Sequence, residues 1–236
     1  PILSGREILE AVKRGHIWLN LRRANLELED LPPIAKEVFG SLEDASGRRA
    51  RKRDMGLLIS SPNVHVHYHL DIPMVALLQL RGRKRVWVYP TDAEFAAPDY
   101  IEDIVHMERE EDIPYRRTFD KSARVFELTP GMALSWPQLA PHRVQNANCV
   151  NVSLSCEFMT LPSQINANAI YTNAFLRQNL SLSPSAQNGM TPISVGKAAF
   201  AAMHKVCTRR GPRSSPTPVS FELDMRTETC TRLLYA

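Results

Sequence analysis

Short runs of alternating apolar and polar residues, separated by turns rich in Gly and Pro, occupy the middle of the chain. They predict β-strands at residues 56–60, 64–71, 84–90, 123–128, 132–136 and 150–155. The largely apolar run 73–80 and the turn Arg81-Gly82-Arg83 add a hairpin. Many short strands broken by such turns are typical of a double-sheet jelly roll or barrel, so we predict an all-β core.

Helical patterns flank this core on both sides. Residues 4–15 and 31–39 have the apolar spacing of helices, and the alternating segment 17–21 predicts a strand between them. Residues 163–179 and 195–207 predict C-terminal helices, which are expected either to cover the barrel or to pair two subunits as a homodimer. The predicted division is an N-terminal helical and strand extension at 1–55, a β-core at 56–160, and C-terminal helices with a flexible tail at 161–236.

One predicted strand is unusual because it carries several metal-ligating side chains. In an extended strand side chains alternate between faces, which predicts that His65, His67, His69 and Asp71 project to one side. Burying so many polar groups without partners would be costly. We therefore predict a metal site on this strand rather than an ordinary core.

A second, distant histidine would complete a site of two histidines and one carboxylate, the arrangement of non-haem Fe(II) oxygenases. The best candidate is His142, which lies between a proline-broken turn and the next alternating run. The remaining histidines, His16, His106 and His204, lie in helical or charged contexts and are expected to be exposed.

Composition narrows the function classes without choosing among them. The 236 residues are 44% hydrophobic and 23% charged with a net charge of +4, as in ordinary soluble domains. No apolar run is long enough for a membrane span, and the basic residues at 48–53 accompany no nucleic-acid-binding motif. We therefore expect neither a membrane nor a nucleic acid as a partner. Four cysteines without a pairing pattern favour free thiols and a cytoplasmic location.

The motifs together resemble a known family. The sequence His69-Leu70-Asp71, the run at 79–87 and the run Pro141-His142-Arg143-Val144-Gln145-Asn146 resemble the JmjC and cupin-like branch of the Fe(II)/2-oxoglutarate-dependent oxygenases. That branch includes the asparaginyl hydroxylase of hypoxia-inducible factor. The resemblance covers about residues 57–159 and implies a double-stranded β-helix with flanking N- and C-terminal helices.

The resemblance also implies a set of site residues. Fe(II) would be held by His69, Asp71 and His142, and 2-oxoglutarate and O2 would be co-substrates in the hydroxylation or demethylation of an unidentified protein or small molecule. In the asparaginyl hydroxylase a lysine thirteen residues beyond the metal-binding aspartate anchors 2-oxoglutarate, and Lys84 stands at that spacing from Asp71. A cation there would offset the desolvation of a dianion.

Two departures leave alternatives open. The hydroxylase has a co-substrate-binding threonine where this chain has Val66, so either Tyr68, Ser153 or another group replaces it, or 2-oxoglutarate binds weakly or not at all. Ordinary cupins suggest a rival ligand set of His65, His67, Asp71 and His142, which fits other metal chemistry, and a degenerate site would fit a non-catalytic regulatory or binding protein. Residues proposed to support a metal ligand from the second coordination shell are His67, Gln138 and Asn146.

Overall fold

The structure, a computed structural model, describes residues 4–106, 111–182, 184, 190–208, 221–224 and 229–232. Its helices are α1 (Gly5–Arg14), α2 (Ala24–Glu27), α3 (Leu31–Ser46), α4 (Pro98–Val105), α5 (Leu161–Leu180) and α6 (Pro192–Cys207). Its strands are β1 (Trp18–Leu21), β2 (Arg51–Ser60), β3 (His65–His69), β4 (Met74–Arg81), β5 (Lys84–Val88), β6 (Arg124–Leu128), β7 (Ala133–Trp136), β8 (His142–Asn146), β9 (Asn151–Met159), β10 (Phe221–Asp224) and β11 (Thr229–Arg232).

Two antiparallel sheets form the core. One has the strand order β1-β2-β9-β4-β7 and the other the order β3-β8-β5-β6. From β2 to β9 the chain crosses from one sheet to the other at every step except β5 to β6, which are neighbours in the same sheet. This winding is the double-stranded β-helix of the cupin fold, and the predicted fold class is confirmed.

Three buried clusters hold these layers together. Between the sheets, side chains such as Val75, Leu77, Val86 and Trp136 fill the barrel next to the cavity described below. Helix α3 covers the outer face of the larger sheet, where the ring of Phe39 meets that of Phe158 edge-on, with centroids 6.2 Å apart. Because α3 presents its apolar stripe to the sheet, it closes one side of the barrel.

The segment between β5 and β6 covers the outer face of the smaller sheet. Phe95, Ile104 and Phe119 of this segment pack against Tyr68 and Trp87 of the sheet. It is therefore part of the core packing, although it is rich in acidic residues.

The N-terminal extension contributes more to the sheet than the sequence predicted. Strand β2 begins at Arg51, five residues before the predicted start of the core, and β1 pairs with it. The start of β2 lies within the run of basic residues at 48–53. Glu43 of α3 accepts hydrogen bonds from the backbone of Ala50 and, at 2.6 Å, from the side chain of Arg53, which holds this run against the helix.

The C-terminal helices pack against each other and against α4. His106, expected at the surface, is buried there, and its Nε2 lies 3.0 Å from the carbonyl oxygen of Tyr171. No helix in the described ranges combines the length and apolar character needed to cross a membrane. Most of the flexible tail predicted after the C-terminal helices lies outside the described residues.

Candidate metal centre

A β-bulge in β3 decides which side chains of this strand face the barrel interior. Val66 pairs with Val144 of β8, but it is His69, and not Tyr68, that pairs with His142. One extra residue therefore lies in β3 between these two pairs. Side chains alternate between the two faces of a strand, so residues 66 and 69 of a regular strand would point to opposite faces. The extra residue shifts this alternation by one, and Val66 and His69 therefore both point inward.

The same bulge separates two of the strand's histidines from the third. His65 and His67 are exposed and lie at the rim of the cavity. Within the described residues, the one group of His, Cys, Asp and Glu side chains close enough to share a metal is His69, Asp71 and His142. The prediction that all four polar side chains of the strand share one face is therefore wrong, and the rival ligand set is not brought together.

The three remaining side chains form a compact ligand set. Nε2 of His142 lies 3.3 Å from Oδ2 of Asp71, and Nε2 of His69 lies 3.9 Å from Oδ1 of Asp71. All three ligand atoms lie within 4.8 Å of one another. Ligands at right angles around a metal with bonds of about 2.1 Å stand about 3 Å apart, so small side-chain shifts would bring this set onto one face of an octahedral ion. Such a face leaves positions open for other ligands.

Backbone carbonyls orient both imidazoles toward that metal position. Nδ1 of His69 lies 2.7 Å from the carbonyl oxygen of His67, and Nδ1 of His142 lies 3.1 Å from that of Ala140. Since a carbonyl only accepts, each Nδ1 carries the proton and each Nε2 offers a lone pair. Burial lowers the pKa of His142 to about 4, with a smaller contribution from His69, so His142 is neutral at physiological pH, the form that binds metal.

The ligand set opens onto a cavity of about 560 Å³ between the two sheets. Its walls combine apolar side chains with polar and charged ones, and Lys84 lies in the part farther from the metal ligands. In the register of β5 and β8, His142 pairs with Val88 and Lys84 with Asn146, which places the two pairs about 13 Å apart along the strands.

Lys84 is an unusual cation for a barrel interior. The residue is only 5% exposed, and no hydrogen bond or ion pair to its ammonium group is formed within the described ranges. Burial lowers the pKa of Lys84 to about 8. The cavity thus contains an open-faced ligand set near one end and an uncompensated, buried positive charge near the other.

Acidic side chains line the cavity on the side of the metal ligands. Glu157 of β9 and Glu111 both face it, together with Asp112 and one cation, Arg22. The backbone N–H of Leu70 donates to the carbonyl oxygen of Glu111 at 3.3 Å, which fixes Glu111 beside the metal strand. Burial raises the pKa of Glu157 to about 7, with a further contribution from the charge of Asp71.

Sequence reasoning missed these acidic residues, although one of them carried a signal. Side chains alternate along β9, so Glu157 lies on the same face as Ser153 and Ser155. This face points into the barrel, which makes Glu157 a charged residue at an inward position of a buried strand. A charge at such a position is uncommon without a partner. Glu111 and Arg22 lie outside the core strands, and their positions depend on tertiary contacts.

Neither residue proposed to replace the missing threonine lines the cavity. Tyr68 points to the outer face of the sheet because of the bulge, and its hydroxyl donates to the carbonyl oxygen of Phe95 at 2.9 Å. Ser153 is fully buried, and its hydroxyl donates to Oε1 of Gln79 at 2.7 Å. Contrary to the sequence prediction, the structure does not place a hydroxyl from either residue in the cavity.

The residues proposed to support the ligands act on the backbone. His67 contributes its carbonyl to His69 and not its imidazole. Nε2 of Gln138 donates to the carbonyl oxygen of Ile72, the residue after Asp71, at 2.8 Å. Nδ2 of Asn146 donates to Ser60 and Ser61, so Asn146 joins β8 to the end of β2 close to Lys84 and does not contact a ligand.

Comparisons with known proteins show likeness at the level of the fold. No family model and no curated protein matches the sequence. The ribosomal oxygenase YcfD of Escherichia coli, in complex with cobalt and 2-oxoglutarate, is similar at 17% identity over 87% of this chain and 50% of that chain, with a TM-score of 0.44. The DMSP lyase DddQ of Ruegeria pomeroyi DSS-3 is similar at 12% identity over 46% and 39%, with a TM-score of 0.30. Bacillus subtilis oxalate decarboxylase is similar at 15% identity over 59% and 32%, with a TM-score of 0.31. The chain spans half or less of the length of each of these proteins.

Proposed function

We propose that this protein is an Fe(II)- and 2-oxoglutarate-dependent oxygenase that hydroxylates or demethylates a substrate. The observation that carries the proposal is Lys84, a buried ammonium group in the same cavity as the three candidate metal ligands, with no counter-ion among the residues that the structure describes. A buried charge is costly unless it is paired, so the site favours a ligand that brings a negative charge to this depth.

A dicarboxylate that spans the cavity fits both ends. One end would occupy the positions that His69, Asp71 and His142 leave open on a metal, and the carboxylate at the other end would pair with Lys84. With O2 as the oxidant, bound Fe(II) and 2-oxoglutarate would supply the oxidative decarboxylation of that acid to succinate and CO2, coupled to oxidation of a substrate C–H bond.

The protein's own residues hold and enclose these groups. The carbonyls of His67 and Ala140 fix the two imidazoles so that each Nε2 faces the metal position. Val64, Val66, Val75, Leu77, Trp136 and Val144 line the walls and limit the access of water to the interior. Low local hydration strengthens the attraction between Lys84 and an incoming carboxylate.

Anaerobic titration of the metal-free protein with Fe(II) and then 2-oxoglutarate tests the proposal. We expect a visible metal-to-ligand charge-transfer band in the wild-type protein and no band in Asp71→Ala, which lacks the carboxylate ligand. Lys84→Met should need at least about tenfold more 2-oxoglutarate, because a buried charge pair is lost. Lys121→Met, which removes an exposed lysine outside the cavity, should behave as wild type.

Metal binding without a charge-transfer band would contradict the proposal. It would favour a metal-dependent cupin of other chemistry, for which Glu157, with its pKa raised to about 7, is suited to exchange protons beside the metal. In that case activity would survive Lys84→Met and be lost in Glu157→Gln. Absence of metal binding would favour a non-catalytic regulatory or binding protein.

A further inference from the structure

A second cavity, of about 410 Å³, lies outside the barrel, between α1 and the outer face of the larger sheet. Helix α3 covers that face around Leu154 and Phe158. Val152 lies on the same face two residues earlier, and it lines the second cavity together with Val150 and with Leu9 of α1. No described residue lines both cavities. The volume lies within the range of about 300–1,000 Å³ that is typical of small-molecule sites.

A β-bulge places a cation on this apolar face. Leu78 of β4 pairs with Leu154 of β9, and both belong to the cluster under α3. In a regular strand Arg81, three residues after Leu78, would point into the barrel. An extra residue in β4 instead pairs Arg81 with Val152, so Arg81 projects over the outer face. The cavity therefore has an apolar floor with a guanidinium group beside it.

The guanidinium of Arg81 is available to a ligand. Among the residues that the structure describes, Arg81 hydrogen-bonds through its carbonyl oxygen, which accepts from Nε2 of Gln79 at 2.6 Å, and its guanidinium has no partner. Lys13 of α1 also lines the cavity, but its ammonium group pairs with Glu10 at 2.6 Å. Two cations and one carboxylate beside the cavity leave one positive charge in excess.

An anion with an apolar tail satisfies both features of this cavity. The planar fork of a guanidinium binds both oxygens of a carboxylate, and an acyl tail would remove the side chains of Val150 and Val152 from water. A wholly polar anion would leave the floor hydrated, whereas a neutral apolar ligand would leave Arg81 without a partner. Because the volume is near the lower limit for small-molecule sites, a short tail fits better than a long one.

We propose that this second cavity is a binding site for a medium-chain carboxylate, with the head group on Arg81 and the acyl tail along Val150 and Val152. The proposal does not depend on the function proposed for the barrel cavity, because the two cavities are lined by different residues.

Cys149 provides a reporter, because it lines the second cavity and is partly exposed. The whole chain is treated with iodoacetamide at increasing concentrations of octanoate, and the alkylation of each cysteine is followed by peptide mass spectrometry. Cys207 is exposed and does not line the cavity, so it serves as the internal control. We expect saturating octanoate to slow the alkylation of Cys149 at least about fivefold and to leave that of Cys207 unchanged.

Two related probes separate the contributions of the head group and the tail. Octanamide has the same tail without the charge, and half-protection of Cys149 should need about tenfold more of it than of octanoate. Hexanoate has the same head group and two fewer methylenes. Since each buried methylene tightens binding about fourfold, hexanoate should also be needed at about tenfold higher concentration.

Variants assign the binding to this cavity. Arg81→Met keeps an apolar stem and removes the charge, so it should raise the octanoate concentration for half-protection about tenfold. Arg124→Met, at an exposed position on β6 outside the cavity, should behave as wild type. Lys84→Met should also behave as wild type, because Lys84 lines the barrel cavity. Calorimetric titration of octanoate into Lys84→Met, with and without Arg81→Met, repeats the comparison without the cysteine reporter.

Three results would overturn the proposal. The first is octanoate that protects Cys149 no better than octanamide does, or equally well in Arg81→Met. The second is protection that is lost in Lys84→Met, which would assign octanoate to the barrel cavity. The third is the absence of binding in both assays, which would mean that another part of the chain or a second copy covers the cavity. None of these results affects the charge-transfer test of the proposed function.

Discussion

Replacing Lys84 by methionine should make the metal-free protein more stable. Methionine is apolar and of similar length, so it keeps the packing but removes a buried charge that has no partner among the described residues. Burial lowers the pKa of Lys84 from 10.5 to about 8. Because a tenfold change in proton affinity corresponds to about 1.4 kcal/mol, the charged form costs the folded state about 3 kcal/mol. We therefore expect Lys84→Met to unfold with a free energy about 3 kcal/mol higher than wild type at pH 7.

The dependence on pH follows from the direction of the shift. Below pH 8 the lysine is charged in both the folded and the unfolded protein, so its full cost is present. Between pH 8 and 10.5 the unfolded chain keeps a proton that the folded protein has lost, so the free energy of unfolding of the wild type rises with pH. The difference between variant and wild type should therefore fall to about 1.4 kcal/mol at pH 9.5.

Urea unfolding of metal-free wild type and Lys84→Met at pH 7, 8.5 and 9.5 measures this difference. Subtracting the two proteins removes the contributions of other groups that titrate in the same range. Lys121→Met, at an exposed position, should lie within about 0.5 kcal/mol of wild type throughout. A Lys84→Met variant that is no more stable than wild type at pH 7, or whose advantage does not change with pH, would refute the reasoning that Lys84 is kept for a ligand at a cost in stability.

Three further predictions concern the scaffold. Gly82, between β4 and β5, has φ of +79°, and an added Cβ would lie 2.9 Å from Cγ of Asn151. Gly82→Ala should therefore lower the free energy of unfolding, measured in urea, by more than about 2 kcal/mol. Gly131 has φ of +88° but open space around it, so Gly131→Ala should lower it by only about 1 kcal/mol. Arg177 donates to both carboxylate oxygens of buried Glu102, at 2.9 and 3.1 Å, so Arg177→Met should lose about 2 kcal/mol, most of which a second change, Glu102→Gln, should restore. Pairing of two subunits through α5 and α6 stays a prediction, which sedimentation velocity would contradict if the protein is monomeric at every concentration.

The local pattern of the chain was sufficient to predict the fold class and the presence of a candidate metal site on one strand. Alternating runs separated by turns predicted the strands, because a half-buried strand needs side chains of opposite character on its two faces. The histidines and Asp71 of one strand predicted a metal site because these residue types are rarely buried together without a metal or partners. The choice of His69, Asp71 and His142 followed from the family resemblance, and the structure brings these three side chains together. The role of Lys84 came from the family resemblance, and the structure adds that this lysine is buried in the cavity with no partner in the described part of the chain.

The tertiary structure alone decided which of the histidines on β3 face inward. A bulge depends on pairing with a second strand, and β8 lies more than seventy residues away in the sequence, so alternation along β3 could not reveal it. The same limit applies to Tyr68, which the bulge turns outward, and to Glu111, which a hydrogen bond from Leu70 brings to the site. A sequence determines which chemical groups a strand carries, whereas the pairing of strands distant in sequence decides which groups meet, because register and facing are properties of the sheet and not of the single strand.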